Sequence, residues 1–147
     1  MARSVFVDTW GWYTLIDRRE PEHGRTAMLV EHLIKDGARL VSTDYVIDES
    51  CTLAKARAGS LAAIRLLDLL DRTAALDLEW IGPDRFDRAK AAFRKQHDQA
   101  YSFTDCTSFT VMRQRRMTDV ITMDDHFRIA GFRTLPRRKT PPIGSRS

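Results

Sequence analysis

Ser4-Val5-Phe6-Val7-Asp8-Thr9-Trp10-Gly11-Trp12-Tyr13-Thr14-Leu15-Ile16-Asp17 is the stretch on which the reading of the whole chain turns. Ser4 to Val7 is a short, uninterrupted apolar run, the pattern of a strand buried on both faces. Asp8 closes the run. Trp10, Tyr13, Leu15 and Ile16 then follow at the spacing of a short helix over Thr9 to Asp17. A strand that ends in an acid and turns at once into a helix puts that acid at the carboxyl end of the strand. That is where α/β sheets collect their functional groups.

The same alternation continues outward. Pro21 to Asp36 reads as a helix with Pro at its start, Met28, Leu29, Leu33 and Ile34 as a stripe, and Gly37 as its stop. Arg39 to Thr43 is a second strand, and Asp44 is placed to cap a helix over Tyr45 to Arg57. Gly59-Ser60 breaks the chain before a helix over Leu61 to Arg72. Leu76 to Ile81 alternates apolar and acidic residues, as an edge strand does. Pro83 opens a helix to about Lys95, and Ser102 or Thr104 caps another to about Arg116. Asp119 to Thr122 is a strand, His126 to Ala130 one helical turn, and Phe132 to Leu135 a last short strand. Strands alternating with helices predict an α/β fold, a mostly parallel central sheet with helices on both faces. Residues 1–136 read as one domain, and 137–147, with Pro141-Pro142, Gly144 and two serines, as a flexible tail.

Composition excludes several classes. With 43% apolar and 30% charged residues the chain reads as globular, and no apolar run reaches the 18 residues of a membrane span. The opening run is too short for a signal peptide and is broken by Asp8, so the cytoplasm is the expected compartment. Cys51 and Cys106 match no zinc spacing and read as small reduced core residues. Residues 128–147 carry six cations and no acid, whereas the preceding 127 residues hold 18 basic and 20 acidic side chains. A near-neutral body with a basic end suits a polyanionic partner, and equally a solubilising tail.

Four of the 20 acids stand apart from ordinary surface charge. Asp8 and Asp124 each follow an apolar strand. Glu49, three residues after Val46 and four before Leu53, falls on an apolar stripe, as does Asp105 with Phe109 and Met112. Each has a bland alternative: Asp8 as a helix cap, Asp105 as a first-turn acid facing the helix dipole, Glu49 paired with Arg113, Asp124 as a turn residue with Asp125 as its rival. Jointly the alternatives leave unexplained why all four gather at one sheet edge. Two carboxylates 4 Å apart repel by on the order of 4 kcal/mol at an effective dielectric near 20. A bound Mg²⁺ or Mn²⁺ reverses that sign, because hard cations take oxygen ligands. Such an ion activates water and stabilises the leaving oxygen of a phosphodiester.

Val7-Asp8-Thr9 after an opening strand resembles the first motif of PIN domains. Ser42-Thr43-Asp44-Tyr45-Val46-Ile47-Asp48-Glu49 resembles their second acidic motif, with Glu49 as its acid. Ser102-Phe103-Thr104-Asp105-Cys106-Thr107-Ser108-Phe109 is similar to the third. Ile121-Thr122-Met123-Asp124-Asp125-His126-Phe127, followed by Gly131-Phe132, is similar to the fourth. The resemblance spans residues 4–135 and is nearest to the VapC-like toxins of type II toxin–antitoxin pairs. It implies a PIN-like three-layer α/β/α sandwich and an Mg²⁺- or Mn²⁺-dependent endoribonuclease. Asp8, Glu49, Asp105 and Asp124 would be its metal-holding and catalytic acids. It further implies RNA as substrate, a homodimer, and inhibition by a cognate antitoxin; some relatives are solitary RNA-processing nucleases. Two other functions compete. An aspartyl phosphotransferase needs an acid two residues after Asp8, and Trp10 stands there. A non-catalytic RNA- or protein-binding module would be favoured by loss of an acid, and all four are present.

Further residues carry weaker expectations. Thr9 and Thr104 adjoin the acids and read as helix caps or phosphate contacts. His126 reads as packing or a phosphate contact rather than a general base, and neither it nor His97 has a zinc spacing to a cysteine. Arg113, Arg115 and Arg116 read as a solvated helix end or as phosphate ligands. Trp10, Trp12 and Tyr13 are candidates for base stacking, a dimer surface or the core.

Overall fold

The computed structural model describes residues 2–137. Apart from Arg137, the expected tail over 137–147 lies outside the described residues. Strand β1 (Ser4–Val7) leads through Asp8 into α1 (Thr9–Ile16), followed by α2 (His23–Lys35) and β2 (Arg39–Thr43). Then come α3 (Asp44–Ala58), α4 (Ser60–Arg72), β3 (Leu76–Glu79), α5 (Gly82–Lys95) and α6 (Phe103–Gln114). The chain continues through β4 (Asp119–Ile121), α7 (His126–Ile129) and β5 (Arg133–Leu135). The elements fall where the sequence puts them, with ends shifted by one or two residues.

All five strands are parallel, in the order β3-β2-β1-β4-β5. β1 is central, which explains its continuous apolar run: Val5, Phe6 and Val7 are fully buried. β3 lies at an edge, as its alternating pattern predicts. From β1 the chain winds outward through β2 to β3, then returns to the other side of β1 as β4. The switch point therefore lies between β1 and β4, and in such sheets ligands bind beyond the strand ends at that point.

Two details correct the sequence reading. Thr43, not Asp44, caps α3, its hydroxyl accepting from the Val46 amide at 3.0 Å; Asp44 instead accepts from the Ile81 amide at 2.9 Å. α2 begins at His23 rather than at Pro21. Gly37 ends that helix in the left-handed region at φ 82°.

Helix α1 rides directly on the sheet. A Cβ on Gly11 would collide with the Ile121 carbonyl, so only glycine permits this approach. Trp12 Nε1 donates to Ser42 Oγ at 3.0 Å, and Ser42 Oγ donates to the Val7 carbonyl at 2.9 Å. This buried relay ties α1, β2 and β1 together, leaving no polar atom of the group without a partner.

At the amino-terminal edge of the sheet, Asp119 opens β4 and is 3% exposed. Arg3 donates to it through Nη2 at 2.6 Å, and Arg133 through Nε at 2.6 Å. Burial alone would raise the Asp119 pKa, but the hydrogen bonds from Arg133 and Arg3 outweigh it and hold the carboxyl below its usual range. A carboxylate depressed on folding stabilises above its unfolded pKa and loses that contribution as pH falls through the folded value. Asp119→Asn is therefore expected to cost about 1–3 kcal/mol at pH 7. The gap to wild type should narrow as pH drops below about 4. Urea denaturation across that range measures both.

Candidate active site

The carboxyl edge of β1 and β4 carries the candidate site. The Asp8 amide donates to the Ile121 carbonyl at 3.1 Å, extending the β1–β4 pairing past the strand. Asp8 is the N-cap residue of α1 but makes no capping hydrogen bond with its side chain. Its Oδ2 accepts instead from Thr122 Oγ1 at 3.0 Å. The helix-cap alternative for Asp8 is thereby set aside: the carboxylate faces the switch point.

Helix α6 delivers Asp105 to the same edge. Ser102 Oγ accepts from the Asp105 amide at 2.9 Å, and Asp105 Oδ2 accepts from the Ser102 amide at 2.9 Å. This capping box fixes the first turn and leaves the carboxylate turned towards α7. His126, at the start of α7, places Nδ1 2.8 Å from Asp105 Oδ2 and 3.3 Å from Asp124 Oδ2. Asp124 is held by the His126 amide, which donates to its Oδ1 at 2.9 Å, while its own amide donates to Thr122 Oγ1 at 3.0 Å. Thr122 thus links Asp8 to Asp124. The rival acid Asp125 turns towards Arg128, at 3.5 Å.

Glu49 is placed differently from the sequence reading. It is exposed, and the buried line of α3 is Val46, Ser50 and Ala54. Ser50 is polar and so invisible to an apolar stripe, yet its hydroxyl donates to the Val46 carbonyl at 2.6 Å and allows burial. Glu49 flanks that line. It reaches the site through Thr9, whose Oγ1 donates to Glu49 Oε1 at 2.8 Å. Thr9 is thus a tether between Asp8's neighbour and Glu49 rather than a cap. The alternative pairing of Glu49 with Arg113 is absent, because Arg113 lies over the Phe109 and Phe132 rings at 5.6 and 5.4 Å.

The electrostatics are those of an incomplete charge balance. Burial pushes the Asp8 carboxyl up to about 7; Asp105 and Asp124 add to the rise, while the Thr9 amide and the Thr122 hydroxyl oppose it. Burial would lower the His126 pKa, but the Asp105 hydrogen bond and the charges of Asp124, Asp105 and Asp8 raise it overall. Asp105, Asp124 and His126 offer ligand atoms that all lie within 4.8 Å of one another. A buried carboxyl with a raised pKa beside two further carboxylates is a donor set that a divalent cation suits. The residues therefore fit a metal ion. His126 was weighed from sequence only as packing or a phosphate contact; its spacing two residues after Asp124 is the one local sign of its place in the cluster.

The remaining candidates fall outside the cluster. Arg115 pairs with Glu79 at 2.8 Å. Trp12 and Tyr13 are core residues at 1% exposure. Trp10 is half-buried and lines an open cavity of 1110 Å³ together with Asp124 and His126. Both cysteines are free, and burial raises both thiols above their usual range, which makes them poor nucleophiles.

Comparison with known proteins places the fold. The family model of the PIN domain matches residues 5–133. The chain belongs to the PIN-domain family. Over 128 residues it is 28% identical to the 23S rRNA-specific endonuclease VapC20 of Mycobacterium tuberculosis, covering 87% of this chain and 95% of that protein. The crystal structure of that VapC20, described as a sarcin–ricin loop cleaving toxin, superposes with a TM-score of 0.79 at 26% identity, covering 87% of this chain and 95% of the other. VapBC2 from Rickettsia felis, solved bound to a promoter DNA fragment, shares the fold with a TM-score of 0.63 at 9% identity, covering 89% and 98%. Among the described residues no helix is long and apolar enough to cross a membrane.

Proposed function

We infer that this PIN domain is a divalent-metal-dependent endoribonuclease, with Mg²⁺ or Mn²⁺ held by Asp8, Asp105 and Asp124 and with Glu49 completing the acid set through Thr9. The observation that carries the reading is the convergence of Asp8, Asp105, Asp124 and His126 at the β1/β4 switch point. The bound ion supplies Lewis-acid polarisation of the phosphodiester and activation of water for hydrolysis. Thr122 fixes one oxygen of Asp8, and the Ser102 amide fixes Asp105. His126 holds a proton at Nδ1 between Asp105 and Asp124 and so orients both carboxylates. Asp8 and Asp105 are buried, while Asp124 and His126 line the open cavity from which a strand can approach.

The VapC20 relative makes 23S rRNA the first substrate to test. The same kinship supports a toxin role with a cognate antitoxin as partner, and we extend the reading to a homodimer in the cytoplasm. The composition of the last residues supports a division into a nuclease domain over 1–136 and a basic tail. Purified protein should cut 23S rRNA in Mg²⁺ or Mn²⁺ and lose that cut in EDTA, with the ends read by primer extension. Cleavage that persists in EDTA, or none with either ion, would sink the assignment.

A further inference from the structure

We propose that a trench leading from the acid cluster to Arg57 and Arg65 binds the RNA strand beyond the scissile phosphate, with the arginines on its backbone and Trp10 against a base. This rests on the ribonuclease reading of the site and names the surface that reading requires, since an acid cluster by itself repels a polyanion.

Three neighbouring openings make up the trench. The 1110 Å³ cavity that contains Asp124 and His126 is also walled by Trp10 and Glu20. Glu20 walls a second cavity of 410 Å³ with Arg19 and Arg57. Arg19 and Arg57 in turn wall a third, of 610 Å³, with Arg18 and Arg65. Each opening shares residues with the next, and the charge changes from acidic to basic along it.

The basic end is not balanced internally. Asp17 is the sole acid lining the third cavity, and it is already engaged. It accepts from the Tyr13 hydroxyl at 2.5 Å and from Arg19 Nη2 at 2.9 Å. Among the described residues Arg18, Arg57 and Arg65 have no carboxylate partner, whereas Arg3, Arg39, Arg85, Arg115 and Arg133 each have one. Three exposed guanidinium groups around one opening repel one another unless an anion joins them.

Arg57 is also held in place. Its guanidinium lies 5.4 Å from the Trp10 ring centre and 5.3 Å from that of Tyr13. Trp10 and Tyr13 meet edge to face at 5.8 Å. A guanidinium held over aromatic rings can still turn N–H donors to a planar or tetrahedral anion. Trp10 connects this cation with the acid cavity. Phosphate at the arginines, a flat base at Trp10 and the next phosphate at the acids is the alternation of a single nucleic-acid strand. An acidic peptide would satisfy the arginines but gives the aromatic step and the hydrolytic end no role.

The test uses the full chain in EDTA, so that no strand is cut, and a fluorescein-labelled 20-nucleotide single-stranded RNA of mixed sequence. Arg57→Gln with Arg65→Gln should weaken binding about tenfold and lower the slope of log K against log salt by about 1.4, near 0.7 per phosphate lost. Arg65→Gln alone, an exposed change with no packing role, should give half that slope change. Trp10→Leu should weaken binding at least about fivefold with the salt slope unchanged. Arg94→Gln, an exposed cation on α5 that lines none of these openings, should change affinity by less than about twofold. Unchanged affinity and slope in the double variant, an equal loss in Arg94→Gln, or no RNA binding by the wild type overturns the proposal. So does RNA affinity that survives the double substitution while binding of a labelled glutamate-rich peptide is lost, which assigns the trench to a protein partner. Arginine-dependent RNA binding by a chain that cuts no RNA with metal would overturn the ribonuclease reading and leave the trench standing.

Discussion

Asp8→Asn is expected to abolish cleavage and, in the same molecule, to stabilise the metal-free fold. The carboxyl is 3% exposed, and burial together with Asp105 and Asp124 pushes it up to about 7. A carboxyl raised on folding destabilises wherever it must ionise: the wild type loses stability as pH climbs from about 4 to about 7 and stays at the lower level above that. Asparagine has no charge to bury, and its amide oxygen can still accept from Thr122. The variant should therefore exceed wild type by on the order of 3 kcal/mol at pH 8 in EDTA, and the two should converge below about pH 4. Added Mn²⁺ should raise the stability of the wild type and leave the variant nearly unmoved, since only a competent site gains by mass action. Cleavage should fall roughly a hundred- to thousandfold, the rate equivalent of several kcal/mol of lost charge stabilisation. Urea denaturation at the two pH values and a cleavage time course measure the pair of effects. A variant no more stable than wild type at pH 8 would show that Asp8 is not held at an electrostatic cost.

Asp105→Ala should lose cleavage to the same degree and move stability in the opposite direction. Asp105 accepts from the Ser102 amide at 2.9 Å and lies 2.8 Å from His126 Nδ1. Its carboxylate is therefore held by a capping amide and a histidine, whereas the Thr9 amide and Thr122 hydroxyl at Asp8 are outweighed by burial. Alanine opens the capping box and leaves His126 with Asp124 alone, at a cost of about 1–2 kcal/mol. Asp105→Asn keeps an acceptor for the Ser102 amide and should recover most of that loss while remaining inactive. Thermal denaturation beside the cleavage assay separates cap from charge; alanine and asparagine variants of equal stability would remove the cap from the account. Two acids of one cluster with opposite effects on stability are what a site built partly at the expense of the fold predicts.

Much of this was legible along the chain because it depends on neighbours. Val5-Phe6-Val7 had to be a buried strand, since a continuous β-branched and aromatic run has no polar side to show to water. The helices followed from stripes, breaks at Gly37 and Gly59, and a cap at Ser102 or Thr104, all interactions within a few residues. The candidate acids Asp8, Asp105 and Asp124 were marked by strand ends and a first helical turn. The apolar stripe does not give the burial of Glu49, because the helix buries Ser50 and Ala54 instead. His126 was undervalued because what makes it part of the cluster is Asp105, 21 residues away.

By itself, then, the sequence determined the alternation of elements, the burial of its opening strand and the residues able to serve as acids. Tertiary structure decided which of them meet. The order β3-β2-β1-β4-β5 brings Thr122 to Asp8 across 114 residues, and packing of α6 against α7 brings Asp105 to His126. Periodicity reports only which face of an element is dry. The electrostatic cost carried by Asp8, and the cation that would relieve it, arise when distant charges are buried together.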